Sequence, residues 1–283
     1  MPGSRSPTIR RRELGTLLRG LRQERGWTVE HVAGRLMVSP SKVSRQETGQ
    51  RGISPRDIRD LANLYEVNEA LRARLTELAA EGKQQAWWQA SGIPYSTYVG
   101  LEAEATSISD FGLALVPGLL QTADYARETM RAIRPDFHED VIELRAAARA
   151  ARQRILTSQN PPLFDAIIDE AVLHRSPANR SVMREQLEGL VAASDLPNVS
   201  IRVLPFRAGL LPSSNNKFII LTFKEPRTSP TTVFIETLTL DLFVKKEDQV
   251  LIYEKAFDVM REMSLTAQES RAMISSAAAA LGD

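Results

Sequence analysis

The stretch from Ser39 to Gly52, SPSKVSRQETGQRG, opens on a helix start, Ser39 followed by Pro40, and meets a helix stop at Gly49 only ten residues later. Val43 is its one clearly apolar residue. A helix this short is marginal in water, so neighbouring elements must hold it, and with so little to bury it leaves most of its surface open. The flanking chain supplies those neighbours. Leu14, Leu17, Leu18 and Leu21 recur at helical spacing until Gly26, which predicts an amphipathic helix over residues 9–25. Thr28 is placed to cap a second helix with Val29, Val32, Ala33 and Leu36 as its apolar stripe. Ser54 and Pro55 repeat the cap-plus-proline start for a fourth helix carrying Ile58, Leu61, Ala62 and Tyr65 inward, and a fifth runs from about Asn68 to Ala80 with Leu71, Leu75 and Leu78. The expected N-terminal domain is a mainly α five-helix bundle over residues 9–82.

Charge separates this end from the rest. Residues 1–83 hold 16 Lys and Arg against 10 Asp and Glu, whereas residues 84–283 hold 20 against 25, so the overall +1 conceals a basic and an acidic end. Residues 1–56 alone hold 12 against 4, the electrostatic footprint of a nucleic-acid-binding surface, although a solvated basic face would carry the same charge. The chain has no cysteine, which removes disulfides and thiolate metal sites and fits a reducing compartment. Its longest apolar run, GLALVPGLL, has nine residues and a proline, short of the roughly 20 of a spanning helix, and MPGSRSPTIRRRELG lacks the apolar segment of a secretory signal. The expected location is cytoplasmic.

Two short helices joined by a tight turn inside a basic bundle are the layout of a helix-turn-helix, whose second helix enters the major groove of DNA. The segment LRGLRQERGWTVEHVAGRLMVSPSKVSRQETG strongly resembles the Xre/Cro repressor-type helix-turn-helix, above all in WTVEHVA and SKVSRQETG. On a helix beginning at Pro40, Ser41, Ser44 and Arg45 share one face, and the resemblance implies that they read bases. Thr28, Lys42 and Arg51 lie at helix starts and in the following loop, where the backbone of double-stranded operator DNA is expected, and are assigned to phosphate. The resemblance further implies that Arg22 pairs with Glu47, which together with Val43 anchors the recognition helix. Gln46 departs from the family pattern, which has Ile or Leu there. It lies on the Val43 face, where an unbonded buried amide is costly.

A connector at residues 83–97 contains most of QQAWWQASGIPYSTY and leads to a second domain expected over residues 98–283. Helical patterns fall at about Tyr98–Asp110, Thr122–Ala132, His138–Ser158 and Ala178–Ala193, with two closing helices near 248–263 and 266–281. Strand-like runs fall at 163–170, 199–206, 216–223 and 231–239. The order predicts an α+β domain with a small mixed sheet: a parallel pair, then a hairpin. LVPGLLQTADYARE is either ligand-facing or, more commonly for such a segment, a turn whose leucines enter the core. The chain's three histidines, His31, His138 and His174, are far apart. Glu170 and His174 share a helical face without a third ligand nearby in sequence, and no Gly-rich phosphate loop or nucleophile elbow is present. No metal, cofactor or catalytic residue is expected; a buried cluster of polar groups in this domain would favour an enzyme.

YVGLEAEATSI, LVPGLLQTADYARE, RAARQRIL, DEAVLHR, REQLEGL and NVSIRVLPF, in this order between about Tyr98 and Ala272, closely resemble the C-terminal domain of WhiJ-like, antitoxin-like bacterial regulators. The resemblance implies a DNA-binding transcriptional regulator of the Xre type whose second domain senses a ligand or, preferably, a small protein partner encoded nearby. The alternative is an antitoxin-like protein that neutralises that partner and autoregulates its operon. A homodimer on DNA is expected, since one short recognition helix covers few base pairs, with the second domain contributing to the contact.

Overall fold

A computed structural model of the chain describes residues 7–49, 51–83, 96–175, 179–212, 216–224 and 229–282. The expected connector lies almost wholly outside these residues. The chain forms two compact units, Met1–Glu104 with Glu225–Pro230, and Ala105–Lys224 with Thr231–Asp283.

The first unit holds α1 (Pro7–Glu24), α2 (Val29–Leu36), α3 (Pro40–Glu47), α4 (Pro55–Leu64), α5 (Glu69–Glu81) and α6 (Ser96–Glu102). Its helix starts are written locally. The side chains of Thr28, Ser39, Ser54 and Asn68 accept the backbone N–H of His31, Lys42, Asp57 and Leu71 at 3.1, 3.2, 3.0 and 2.9 Å. Each such cap satisfies a donor that the helix itself leaves open and contributes about 1 kcal/mol. Between α2 and α3 the turn is made by Met37 at φ 53, a left-handed conformation that a side chain rarely adopts. The five amphipathic stripes then close on one core, in which Leu14, Leu18, Val32, Val43, Ile58, Leu61, Leu75 and Leu78 are buried.

One expected helix is corrected. Residues 98–110 do not form a single helix: α6 ends at Glu102, and Ser107–Gly112 is a strand, β1. Three of its six residues are Ser or Asp, so it lacks the β-branched and aromatic run that marks the other strands. The second unit continues with α7 (Ala123–Ile133), α8 (Glu139–Gln153, then a 3-10 turn to Thr157), β2 (Leu163–Asp169), α9 (Ala171–His174), α10 (Arg180–Ala193) and β3 (Val199–Leu204). Next come β4 (Phe218–Thr222), β5 (Thr232–Glu236), β6 (Asp241–Val244), α11 (Glu247–Met263) and α12 (Ala267–Ala280). The strands form one six-stranded mixed sheet in the order β3-β2-β1-β4-β5-β6. β1, β2 and β3 are parallel and are joined by helical crossovers, as parallel neighbours must be; β4, β5 and β6 add antiparallel by shorter connections. The unit is α+β.

Phe111, Ile167, Phe218 and Val233 on one face of the sheet pack with Val250, Phe257 and Met260 of α11. At the β3 edge, Val203 donates its N–H to Ser270 Oγ at 2.8 Å and accepts from the Leu265 N–H at 2.9 Å. Ser270, on α12, is wholly buried, so this edge is covered. In LVPGLLQTADYARE the apolar residues Val116, Leu119 and Leu120 are buried, which is the core reading of that segment. Among the described residues no helix is long and apolar enough to cross a membrane.

Tyr65 gives this fold a measurable weak point. Its ring is fully buried in the first core, yet its hydroxyl has no hydrogen-bond partner among the described residues. Burial, assisted by the Glu47 charge, pushes its pKa up to about 12. The folded state therefore keeps the proton that the unfolded chain releases near pH 10. Stability is full below pH 10 and is lost as pH rises toward 12. Tyr65→Phe should flatten this alkaline loss and raise stability at neutral pH by about 1 kcal/mol, because it removes an unsatisfied buried group; urea unfolding at pH 7 and pH 11 measures both.

Candidate nucleic-acid interface

Helix α3 is held by one face and bare on the other. Val43, Gln46 and Glu47 are 2, 3 and 5% exposed, whereas Ser41, Ser44 and Arg45 are exposed together. The spacing of three and four residues places the two sets on opposite sides of a single eight-residue helix.

The buried face is fixed at both ends. At the C-terminal end, Arg22 reaches from α1 and donates Nε to Glu47 Oε1 at 2.7 Å and Nη2 to Oε2 at 2.8 Å. Its Nη1 donates to the Trp27 carbonyl at 2.8 Å. The fork geometry makes this a strong pair, and the hydrogen bond to Glu47 raises the Arg22 pKa above its ordinary value. The same place is sterically tight. A Cβ on Gly15 of α1 would stand 2.5 Å from the Glu47 carbonyl oxygen and 2.7 Å from that of Gln46. Gly49, at φ 72, ends the helix in the conformation that favours glycine, and a Cβ there would meet the Arg12 backbone at 2.9 Å.

At the other end the link is polar. Lys42 Nζ donates to Asp57 Oδ1 at 2.8 Å and Gln46 Nε2 donates to Asp57 Oδ2 at 3.3 Å, so one carboxylate on the first turn of α4 receives both side chains. Burial opposes ionisation of Asp57, but hydrogen bonds from Lys42 and Ser54 outweigh it and hold its pKa below the ordinary value. The Gln46 amide is thus buried and bonded. Asp57 was not legible as a site residue: in sequence it is an ordinary acidic residue in the first turn of a helix, with no sign of a partner 15 positions earlier.

Of the other expected site residues, Arg45 is exposed, with Nε donating to the Ser41 carbonyl at 3.1 Å, so its guanidinium folds back along α3. Thr28 is exposed and caps α2; Arg51 is exposed just beyond α3, its backbone N–H donating to the Arg45 carbonyl at 3.1 Å. Lys42 is half-buried and already carries an anionic partner.

The second unit does contain buried polar groups, and two of them, Gln121 and Gln186, are bonded from within. Gln121 donates to the Val116 carbonyl at 2.7 Å and accepts from the Arg149 guanidinium; Gln186 accepts the Thr122 N–H at 2.7 Å and donates to the Leu120 carbonyl at 2.8 Å. Together they pin the backbone of residues 116–122. Glu170 lies 3.7 Å from His174 and accepts the Phe206 N–H at 2.7 Å; among the described residues no group of three or more His, Cys, Asp or Glu is arranged to hold a metal ion.

Residues 13–75 match the family model of a helix-turn-helix domain, in agreement with the turn between α2 and α3, so the first unit belongs to the class of helix-turn-helix proteins. The chain belongs to the family defined by the domain of unknown function DUF5753, whose model matches residues 95–276. No curated protein and no solved structure matches the chain.

Two substitutions separate charge from shape at the anchor. Arg22→Met takes both hydrogen bonds from the Glu47 carboxylate, only 5% exposed, and leaves it the half-exposed Arg19 at 3.6 Å; it should cost about 3 kcal/mol in urea unfolding, the low end for breaking a buried pair. Gly15→Ala leaves every charge in place but drives a methyl into two carbonyls, and should cost about 1 to 3 kcal/mol.

Proposed function

We propose that the protein is a transcriptional regulator that recognises operator DNA in a sequence-specific manner through α3, as a homodimer, and is not an enzyme. The observation that carries this reading is the two-sidedness of α3, with Val43, Gln46 and Glu47 buried and Ser41, Ser44 and Arg45 exposed on a helix that comes after a tight turn. In this reading Ser41, Ser44 and Arg45 face base edges, Arg45 supplying the bidentate fork that suits guanine. Thr28, Lys42 and Arg51 face phosphates. The residues anchoring the helix are Arg22, Val43 and Glu47. The basic balance of residues 1–56 supports the placement on DNA.

A single short helix reads too few base pairs for specificity, and a two-fold dimer reading half-sites about one helical turn apart is the usual remedy. The likeness of α2 and α3 to Xre/Cro repressors supports this arrangement. The second unit is the regulatory module of the reading, answering to a protein partner; its acidic balance, 19 basic against 22 acidic residues over 105–224 and 231–283, favours a basic partner surface. A cytoplasmic location accords with the DNA target.

Selection of bound sites from random DNA is expected to return sequences with palindromic character; their absence, with one chain bound per site, would overturn the reading. Within a selected site, Arg45→Ala should relax preference at one base position per half-site at a cost of about 1 to 3 kcal/mol there. Lys42→Ala should weaken all sequences alike and lower the slope of log affinity against log salt by up to about one unit per chain, the upper limit applying if Asp57 releases the lysine fully.

A further inference from the structure

The two edges of the sheet are treated differently. The β3 edge is covered by Ser270 and Leu265. At the β6 edge, Leu238, Leu240 and Leu242 are 73, 65 and 47% exposed, and Leu251 and Ile252, on the second turn of α11, are 46 and 67% exposed. A sheet edge flanked by exposed leucines, one in the strand and two in the turn before it, is an unusual surface unless something pairs with it.

The backbone register says which residues are offered. β5 and β6 pair with Val233 opposite Val244, Ile235 opposite Leu242 and Glu236 opposite Asp241. The turn closes with the Thr237 N–H donating to the Leu240 carbonyl at 3.0 Å. Hydrogen-bonded pairs alternate along an antiparallel ladder. Leu240, Leu242 and Val244 therefore direct their N–H and C=O groups toward β5, whereas Asp241 and Phe243 direct theirs outward, with Lys245 next in the alternation. These three are related by a symmetry of their own. If a second β6 runs antiparallel about a two-fold axis at Phe243, each Phe243 faces its counterpart, and each Asp241 faces a Lys245. Outward backbone groups then meet outward backbone groups, Leu242 lies beside Val244 on the apolar face, and the charges are complementary.

We propose that the β6 edge is the surface on which a second copy of this chain docks, by antiparallel pairing of β6 with β6 about Phe243, to give a continuous twelve-stranded sheet. The proposal rests on the DNA-binding reading only for the use made of the dimer. Asp241 is consistent with it: burial, with Glu236 beside it, raises its pKa above the ordinary value, and the pairing brings it a cation. Main-chain bonds of this kind supply affinity, while the side-chain pairs set the register.

The test uses the full chain without DNA. Sedimentation equilibrium is expected to show a dimer. Asp241→Lys and Lys245→Asp, each placing like charges opposite one another at both ends of the pairing, should each raise the dimer dissociation constant about ten-fold, and the double variant should restore it. In a chain with no cysteine, Phe243→Cys should give a single disulfide-linked dimer on oxidation. Residues at a hydrogen-bonded antiparallel position lie about 5.5 Å apart between Cα atoms, within the range a disulfide spans. A monomer at every concentration, a dimer insensitive to both charge reversals, or a Phe243→Cys chain that does not cross-link would overturn the proposal. Operator binding measured on the same samples keeps the two readings apart. A β6 dimer that fails to bind any selected DNA would count against the DNA reading alone. A monomer that still binds palindromic sites would count against this interface alone.

Discussion

The bidentate pair between Arg22 and Glu47 is the interaction on which the first unit turns. A carboxylate at the C-terminal end of a helix opposes the helix dipole, and here it is also buried; the Arg22 guanidinium on α1 compensates it by meeting both of its oxygens, with Arg19 Nε a further 3.6 Å from Oε2. That one contact joins the first and third helices and, through the Trp27 carbonyl, the approach to the second. Gly15 permits the close approach and Gly49 lets the chain leave it. A helix with one apolar anchor thereby acquires a fixed orientation without covering its outer face.

The second unit solves a different problem. Its central strand, β1, is joined to a parallel neighbour on one side and an antiparallel neighbour on the other, so the sheet combines helical crossovers with short connections in one plane. The loop before α7 is buried at Val116, Leu119 and Leu120 and carries several backbone groups with it. Gln121 and Gln186 satisfy those groups, and Arg149 in turn satisfies Gln121. These two amides thus hold the loop's buried backbone in place.

What could be read in the sequence was what is decided locally. The caps at Thr28, Ser39, Ser54 and Asn68 act over three residues, and the five helices of the first unit arise from them and from the leucine spacing. β2 through β5 were legible as β-branched and aromatic runs. β1 was not, because half of SISDFG is Ser or Asp, and its place is set by pairing with β2 and β4, which lie far along the chain; β6, with four residues, is too short to show a period. At the interface, the two faces of α3 were visible in its spacing. The fate of Gln46 and the role of Asp57 were not, since both depend on where the start of α4 falls in space, and no periodicity encodes that.

The Asp57 clasp changes what Lys42 is to an incoming polyanion. A phosphate approaching that ammonium meets no bare cation; it meets one that already has an internal counter-ion, held by the fold at 2.8 Å. Association at this point is an exchange of one anion for another, so its free energy is a small difference. A contact of this kind carries no sequence preference of its own; the internal counter-ion only lowers its gain. On the proposed DNA reading, the clasp makes this lysine a moderated contact, one whose charge the fold has partly spent before any duplex arrives.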